Sequence, residues 1–379
     1  MTDATYAPLP EAPPPDAPSR SLWGAAWLRL RKNRAAMASA ALLLLFILAG
    51  LIGPSVAPHD YDEVYRDYVR TPASLAPYPR EDEIRPAVED ALRRARAEIE
   101  AVEIADGRVR VTLTAEREID PRNARLLERA NDFSDAEAVE QSEDGRRLVI
   151  AADVQQLYFL LGTDANGRDL LARILISLRI SLMIGALATG VALVIGVLYG
   201  ATAGFVGGRL DGVMMRVVDI LYSLPFIFFV ILLVVFFGRN VVLMFIAVGC
   251  IEWLDMARIV RGQTLSLRRR EFVAAAEALG VAPASILRRH IIPNTLGTVI
   301  VYMTLLIPKV ILLESFLSFL GLGVQEPLTS LGVLISEGAK NMRNAPDMLI
   351  YPALTLTLLL FALNFLGDGL RDALDPKDR

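Results

Sequence analysis

Apolar positions along this chain come in long, nearly uncharged runs separated by charge-dense stretches. The runs lie at about 35–53, 180–204, 217–237, 240–257, 295–320 and 348–367, and each approaches the ~20 apolar residues with which a helix crosses a hydrocarbon core. A helix closes all its backbone hydrogen bonds within one segment, which is why such runs become helices in lipid. The pattern predicts an all-α polytopic membrane protein with about six transmembrane helices. Pro225, inside the third run, is expected to kink its helix. Ahead of the second run, Leu170, Leu171, Ile174 and Leu175 interleave with Arg168, Arg173 and Arg179. That mixture suits an amphipathic helix lying at the interface, capped by Thr163 or Asp164 and preceded by a turn at Asn166-Gly167.

Residues 57–160 break this pattern, with dense charge and no spanning run. "EDEIRPAVEDALRRARAEIEAVEI" has helical composition, whereas "GRVRVTLTAE" alternates with period two, as a half-exposed strand does. Asp120-Pro121 reads as an N-cap and first helical residue before "RNARLLERA". "DGRRLVIAAD" reads as a second strand. The segment is therefore a small α+β extracytoplasmic insert, on the far side of the membrane from the N-terminus.

Charge then orients the chain. Residues 1–34 form a cytoplasmic tail, proline-rich and disordered up to residue 20 and basic from Arg20 to Arg34. Basic residues beside a first span hold that side in the cytoplasm. "SVA" at 55–57 resembles a signal-cleavage site, but the apolar run exceeds the 7–15 residues of a signal core. The first helix, 35–56, is read as an uncleaved span. Alternation from there puts 207–216 and 258–293 inside, 238–240 and 321–347 outside, and the C-terminus inside. The region 258–293 holds Arg258, Arg261, Arg268, Arg269, Arg270, Arg288 and Arg289 against Glu271 and Glu277, which agrees. Overall composition, 54% hydrophobic and 22% charged, exceeds the roughly 45–50% apolar usage of soluble domains. A single cysteine, Cys250, excludes an intrachain disulfide, and His59 and His290 stand far apart, which disfavours a His-based metal site.

One cytoplasmic stretch differs from a plain loop: "EFVAAAEALGVAPASILRRHIIPN", residues 271–294. Phe272, Ala276 and Leu279 recur at i, i+4 and i+7, one face of a short helix. Gly280 is placed to end it, Pro283 to open a second helix carrying Ile286 and Leu287, and Pro293 to stop that one before the next span. A docking knob and an ordinary connector folded onto the membrane both fit this pattern. Among charges at membrane depth, Lys309 (next to Pro308) and Glu314 are five residues apart, about 140° around a helix, so they are not a natural intrahelical pair. They are expected to line a path, or to form structural pairs. Glu252 and Asp255 are expected to pair with Arg258 or Arg261.

The hairpin resembles the EAA loop of permease subunits in bacterial ABC importers. The family pattern is Glu-Ala-Ala, three residues, Gly, nine residues, then Ile-x-Leu-Pro; here it reads Ala274-Ala275-Ala276, Gly280, then His290-Ile291-Ile292-Pro293. Further stretches, "LGTDANGRDLLARILISLRIS", "MMRVVDILYSLPFIFF" and "ESFLSFLGLGVQEP", resemble the C-type permease subunit of oligopeptide/dipeptide importers over 161–379 and the first span. In this sequence Glu326 stands where the family usually has Pro, and Leu331 where it often has Trp. The resemblance implies the type I importer permease fold and a non-catalytic subunit forming half of a peptide pathway. Its partners would be a second homologous permease, one or two ABC ATPase subunits and an extracytoplasmic binding protein, in a bacterial inner membrane, with lipid around it and no nucleic acid. ATP would be bound by the partners, this chain binding no cofactor, in keeping with the absence of a G-x-x-x-x-G-K-[ST] loop. Phe272, Ala274, Ala275, Ala276, Leu279, Gly280, Ile286 and Pro293 would couple to the ATPase, and Lys309, Glu314 and Pro308 would line the path. The rival readings are a stand-alone carrier or channel, a permease of the same family for a cargo such as a metal chelate, and a membrane-anchored ligand sensor.

Overall fold

The computed structural model describes residues 22–105, 107–237 and 241–374. The proline-rich tail, the 238–240 turn and the extreme C-terminus read above lie outside the described residues. Helices α1 (Leu22–Lys32) and α2 (Arg34–Val56) open the chain. Between them the Asn33 side chain accepts from the Ala36 N–H, satisfying one of the donors left free at a helix start.

The insert contains α3 (Glu81–Leu92), β1 (Glu98–Ala105), β2 (Arg108–Thr114), α4 (Ala124–Glu128), β3 (Phe133–Gln141) and β4 (Arg147–Val154). The strands form one antiparallel sheet in the order β1-β2-β4-β3. Alternation buries Val109, Val111, Leu113, Leu148 and Ile150 against Ile84, Val88, Leu92 and Leu127 of the two helices. Asp120 caps a short 3-10 turn, Pro121–Asn123, that leads into α4. The stretch expected to be wholly helical instead splits. Its second half is β1, because Ile99, Val102 and Ile104 face Leu113, Val111 and Val109 across the ladder. Strand β3 was not expected: it is a polar edge strand with an irregular register, and only Phe133 of it is fully buried. The chain enters and leaves this unit side by side, where Tyr78 and Leu157 exchange backbone hydrogen bonds at 2.8 and 2.9 Å.

Beyond the insert, α5 runs unbroken over Leu170–Val206. Its 37 residues span roughly 55 Å, so the separate interfacial helix expected at 170–180 is the first part of this one helix. Asp169 caps it, accepting from the Leu171 N–H at 2.8 Å. Asp164, expected as a cap, folds back instead on the N–H groups of Asn166 and Arg168. Next come α6 (Gly208–Ser223) and α7 (Phe226–Phe237). Pro225 separates them rather than kinking one helix, since Leu224 before it is extended, as residues preceding proline prefer. The remaining helices are α8 (Val241–Arg268), α9 (Glu271–Ala278), α10 (Pro283–Ile286), α11 (Ile292–Phe319), α12 (Leu331–Asn341) and α13 (Asp347–Leu374).

Among the described residues, four helical stretches are long and apolar enough to cross a membrane: α2, α5, the continuous stretch from α10 through α11, and α13. The fuller set of runs reads differently because Pro225 divides the third and α8 carries Glu252, Asp255, Arg258 and Arg261. Helices α5 and α8 lie backbone to backbone. Gly196, Gly200 and Gly204 face α8, and a Cβ at Gly200 would stand 2.3 Å from the carbonyl oxygen of Ala257. Without a hydrophobic drive in lipid, such close approach is how helices gain contact.

Candidate functional site

Two regions carry the chemistry singled out from sequence. The first is the 271–294 hairpin. Helix α9 ends in a Schellman motif: the Gly280 N–H bonds the Glu277 carbonyl and the Val281 N–H bonds the Ala276 carbonyl. Gly280 takes φ +74° there, a left-handed angle that side-chain-bearing residues resist. Pro283 opens α10 at its first position. Pro293, expected to stop this helix, does not. A π-type turn at Leu287–Ile291, with the Ile292 N–H bonded to the Leu287 carbonyl, carries α10 directly into α11. A wider turn at this point accommodates a proline ring that a regular helix interior would reject.

The inner face of the hairpin is Val273, Ala276, Ile286 and Ile291, packed on Phe205 at the end of α5. It differs from the expected Phe272, Ala276 and Leu279 face, of which only Ala276 is buried. Leu279 lies past the last helical residue and is 83% exposed, and Phe272 is 40% exposed. Ala274, Ala275 and Pro293 are exposed as well. The hairpin thus stands on a packed apolar base and presents outward Leu279 and the Phe272 ring, which lies 6.5 Å from the His290 ring. The base is tied down by Arg268, which donates to the Val206 carbonyl at 3.2 Å.

The second region is ionic and joins α8 to α11. Lys309 donates to Glu252 at 2.8 Å and to Asp255 at 3.1 Å. Glu252 is buried, while Lys309 is half exposed. The expected partners of the two acids are engaged elsewhere. Arg258 meets Asp219 at 3.0 Å, and Arg261 grips both oxygens of Asp211 at 2.5 and 2.6 Å, which holds the Asp211 carboxyl below the usual carboxylate range. Each three-residue step along a helix turns the side chain by about 60°, so Glu252 and Asp255 look toward α11 and Arg261 looks toward α6. Beside this cluster lies a cavity of about 280 Å³ between α6, α7 and α8, with Lys309 at its wall.

Five residues along α11, Glu314 is fully enclosed. Ser318 donates to it at 2.7 Å and Ser181 lies at 3.4 Å. Lys309 and Glu314 do not pair, as their angular separation implied. Pro308 is buried too, so Lys309 alone of the three reaches an open space. A further node, unread in the sequence, sits where the insert meets α5. Arg173 is wholly buried, pairs with Asp164, and meets Glu337 of α12 at 2.7 Å. Arg168 joins Asp164 at 2.7 Å and Glu326 at 2.9 Å. His59 contacts Asp169 at 2.8 Å.

Comparison with known proteins places these features in a lineage. Residues 192–379 match the family described as binding-protein-dependent transport system inner membrane component. Residues 21–77 match the N-terminal TM domain of oligopeptide transport permease C; this match stops one residue before the Tyr78–Leu157 pair that closes the root of the insert. The oligopeptide transport system permease protein OppC of Escherichia coli (strain K12) is 59% identical over 236 residues, covering 62% of this chain and 78% of that protein. OppC of Salmonella typhimurium (strain LT2) is 62% identical over 218 residues, 58% of this chain and 72% of its own. The dipeptide transport system permease protein DppC of Bacillus subtilis (strain 168) is 42% identical over 219 residues, 58% of this chain and 68% of its own. An inward-facing structure of the MetNI methionine ABC transporter superposes with TM-score 0.46 at 18% identity, covering 54% of this chain and 96% of its own; the assignment rests on the sequence relatives. With its motifs, its hairpin and its helical bundle, this chain belongs to the binding-protein-dependent ABC importer permeases, in the C-subunit branch of the oligopeptide and dipeptide systems.

Proposed function

We propose that this multi-pass membrane chain supplies half of the translocation pathway of an ATP-driven peptide importer. Its hairpin would receive the motion of a separate ATPase subunit. The observation that carries this reading is the outward apolar pair Phe272 and Leu279 on a base continuous with α11. A helix-in-groove contact uses such anchors, and a push on α10 is transmitted into α11 without an intervening loop. Ala274 and Ala275, exposed between the two anchors, allow a close approach, while Ala276, Gly280, Ile286 and Pro293 hold the shape. A second permease, one or two ATPases and a binding protein complete the complex, and both termini lie in the cytoplasm. Of the three path residues, Lys309 faces the cavity, and Pro308 and Glu314 set its helix from the packed side.

The test is crosslinking in the assembled transporter. Leu279→Cys is expected to crosslink to an ATPase subunit, and Gly280→Trp to abolish ATP-dependent peptide uptake while membrane insertion is unchanged. Absence of a crosslink together with normal uptake in Gly280→Trp would overturn the coupling role. Transport by this chain in liposomes without ATPase partners would favour the stand-alone carrier.

A further inference from the structure

We infer that Asp255, braced by Lys309 and Glu252, forms a docking point for the protonated amino terminus of a peptide in transit. This deepens the peptide-permease reading and rests on it. Two carboxylates share one ammonium, which leaves one negative charge uncompensated in the cluster. Burial separates the two acids. Glu252 is only 3% exposed and takes the shorter contact, 2.8 Å, whereas Asp255 is 24% exposed and lies at 3.1 Å from Lys309, with both carboxylates and the ammonium on the cavity wall. Of the two carboxylates, Asp255 is therefore the more open to an incoming cation. The nearby cation does not cancel the surplus charge: Arg258 is held by Asp219 at 3.0 Å and rests on the Tyr222 ring, 4.3 Å from its centroid.

The surroundings match a charged group carried on a variable body. Leu221, Leu224, Phe229 and Leu254 supply much of the remaining wall, and apolar walls accept side chains of many shapes without demanding hydrogen bonds. The amino terminus is what differing peptides share. An ionisable cluster deep in a helical bundle faces a cavity or a partner, and this one does both. Its depth is consistent on both helices. Glu252 lies 16 residues before the end of α8 and Lys309 17 residues after the start of α11, roughly 24 and 26 Å above the hairpin level. A peptide carboxylate is disfavoured, since it would add a third negative charge around one ammonium.

Cys250, the only cysteine of the chain, borders the same cavity and supplies a reporter. In the purified, detergent-solubilised transporter without binding protein, maleimide labelling of Cys250 is followed by mass spectrometry of this chain. A tripeptide with a free amino terminus is expected to slow labelling, and its N-acetylated twin to need about tenfold more for the same protection. Asp255→Asn is expected to remove the difference and Asp255→Glu to retain it. Equal protection by both peptides, no protection by either, or an undiminished difference in Asp255→Asn would overturn the docking point. Uptake into proteoliposomes separates this from the broader reading. ATP-dependent peptide uptake without discrimination at Cys250 sinks the docking point alone; no uptake of any peptide by the wild-type complex sinks both.

Discussion

Single residues show where local chemistry meets long-range structure. Arg173 reads in the sequence as one of several interfacial arginines, yet it is among the most deeply buried side chains, held by Asp164 and Glu337. Removing one member of a buried ionic set leaves the others uncompensated and costs about 3–5 kcal/mol. Arg173→Ala is therefore expected to lower the melting temperature of the detergent-solubilised protein by several degrees. Arg173→Lys should fall between, because a point charge cannot replace a planar fork bonded to two carboxylates. Combining Arg173→Ala with Glu337→Gln should cost less than the sum of the two changes, the signature of direct coupling. Gly280 makes the opposite case. A Cβ there would meet nothing within 4 Å, but φ is +74°, so Gly280→Ala should cost only the left-handed strain, about 1–2 kcal/mol. Hydrogen exchange should then speed up in α9 and stay unchanged in α5.

At the scale of elements, α5 and α8 set the geometry on which the ionic cluster depends. Glu252 and Asp255 reach Lys309 only while α8 keeps its depth and rotation, and the glycines of α5 allow α8 to come that close. A methyl at Gly200 would meet the Ala257 carbonyl at 2.3 Å, so the helices must part. Gly200→Ala is expected to destabilise the bundle by about 1–3 kcal/mol. Gly190 lies on the same helix, where an added methyl would meet nothing within 4 Å, and Gly190→Ala should leave the melting temperature unchanged. Equal effects at the two positions would mean that helix propensity, rather than close packing, governs α5.

For the whole molecule, the insert is an appendage with a narrow root. Its sheet packs on its own two helices, and the chain enters and leaves through Tyr78 and Leu157. Replacing 79–156 with a two-residue Asn-Gly turn, which leaves Tyr78 and Leu157 directly flanking it, is expected to keep both hydrogen bonds of that pair. The resulting protein should insert and melt within a few degrees of the parent. A longer cut, 62–155, would strip Tyr65, Tyr68 and Tyr78 from Phe159 and His59. It should fold poorly despite retaining every spanning helix. Similar melting of the two deletions would show that the aromatic cluster contributes nothing to the transmembrane unit.

What the sequence determined by itself was whatever depends on neighbours along the chain. Apolar runs became helices, the alternation in "GRVRVTLTAE" became β2, Asp120-Pro121 capped a turn, and Gly280 with Pro283 bent the hairpin. These follow from backbone hydrogen bonding and φ limits acting over a few residues. The tertiary structure decided the pairings. Lys309 finds Glu252 across 57 residues of chain, and Arg173 finds Glu337 across 164; no local pattern ranks those partners above the arginines and acids closer by. The same holds for β3, which is a strand only because β4 lies beside it, and for the hairpin's inner face. That face is set by Phe205 pressing on Val273 and Ala276, because burial is a property of what packs against a helix, and its period alone leaves the choice of stripe open.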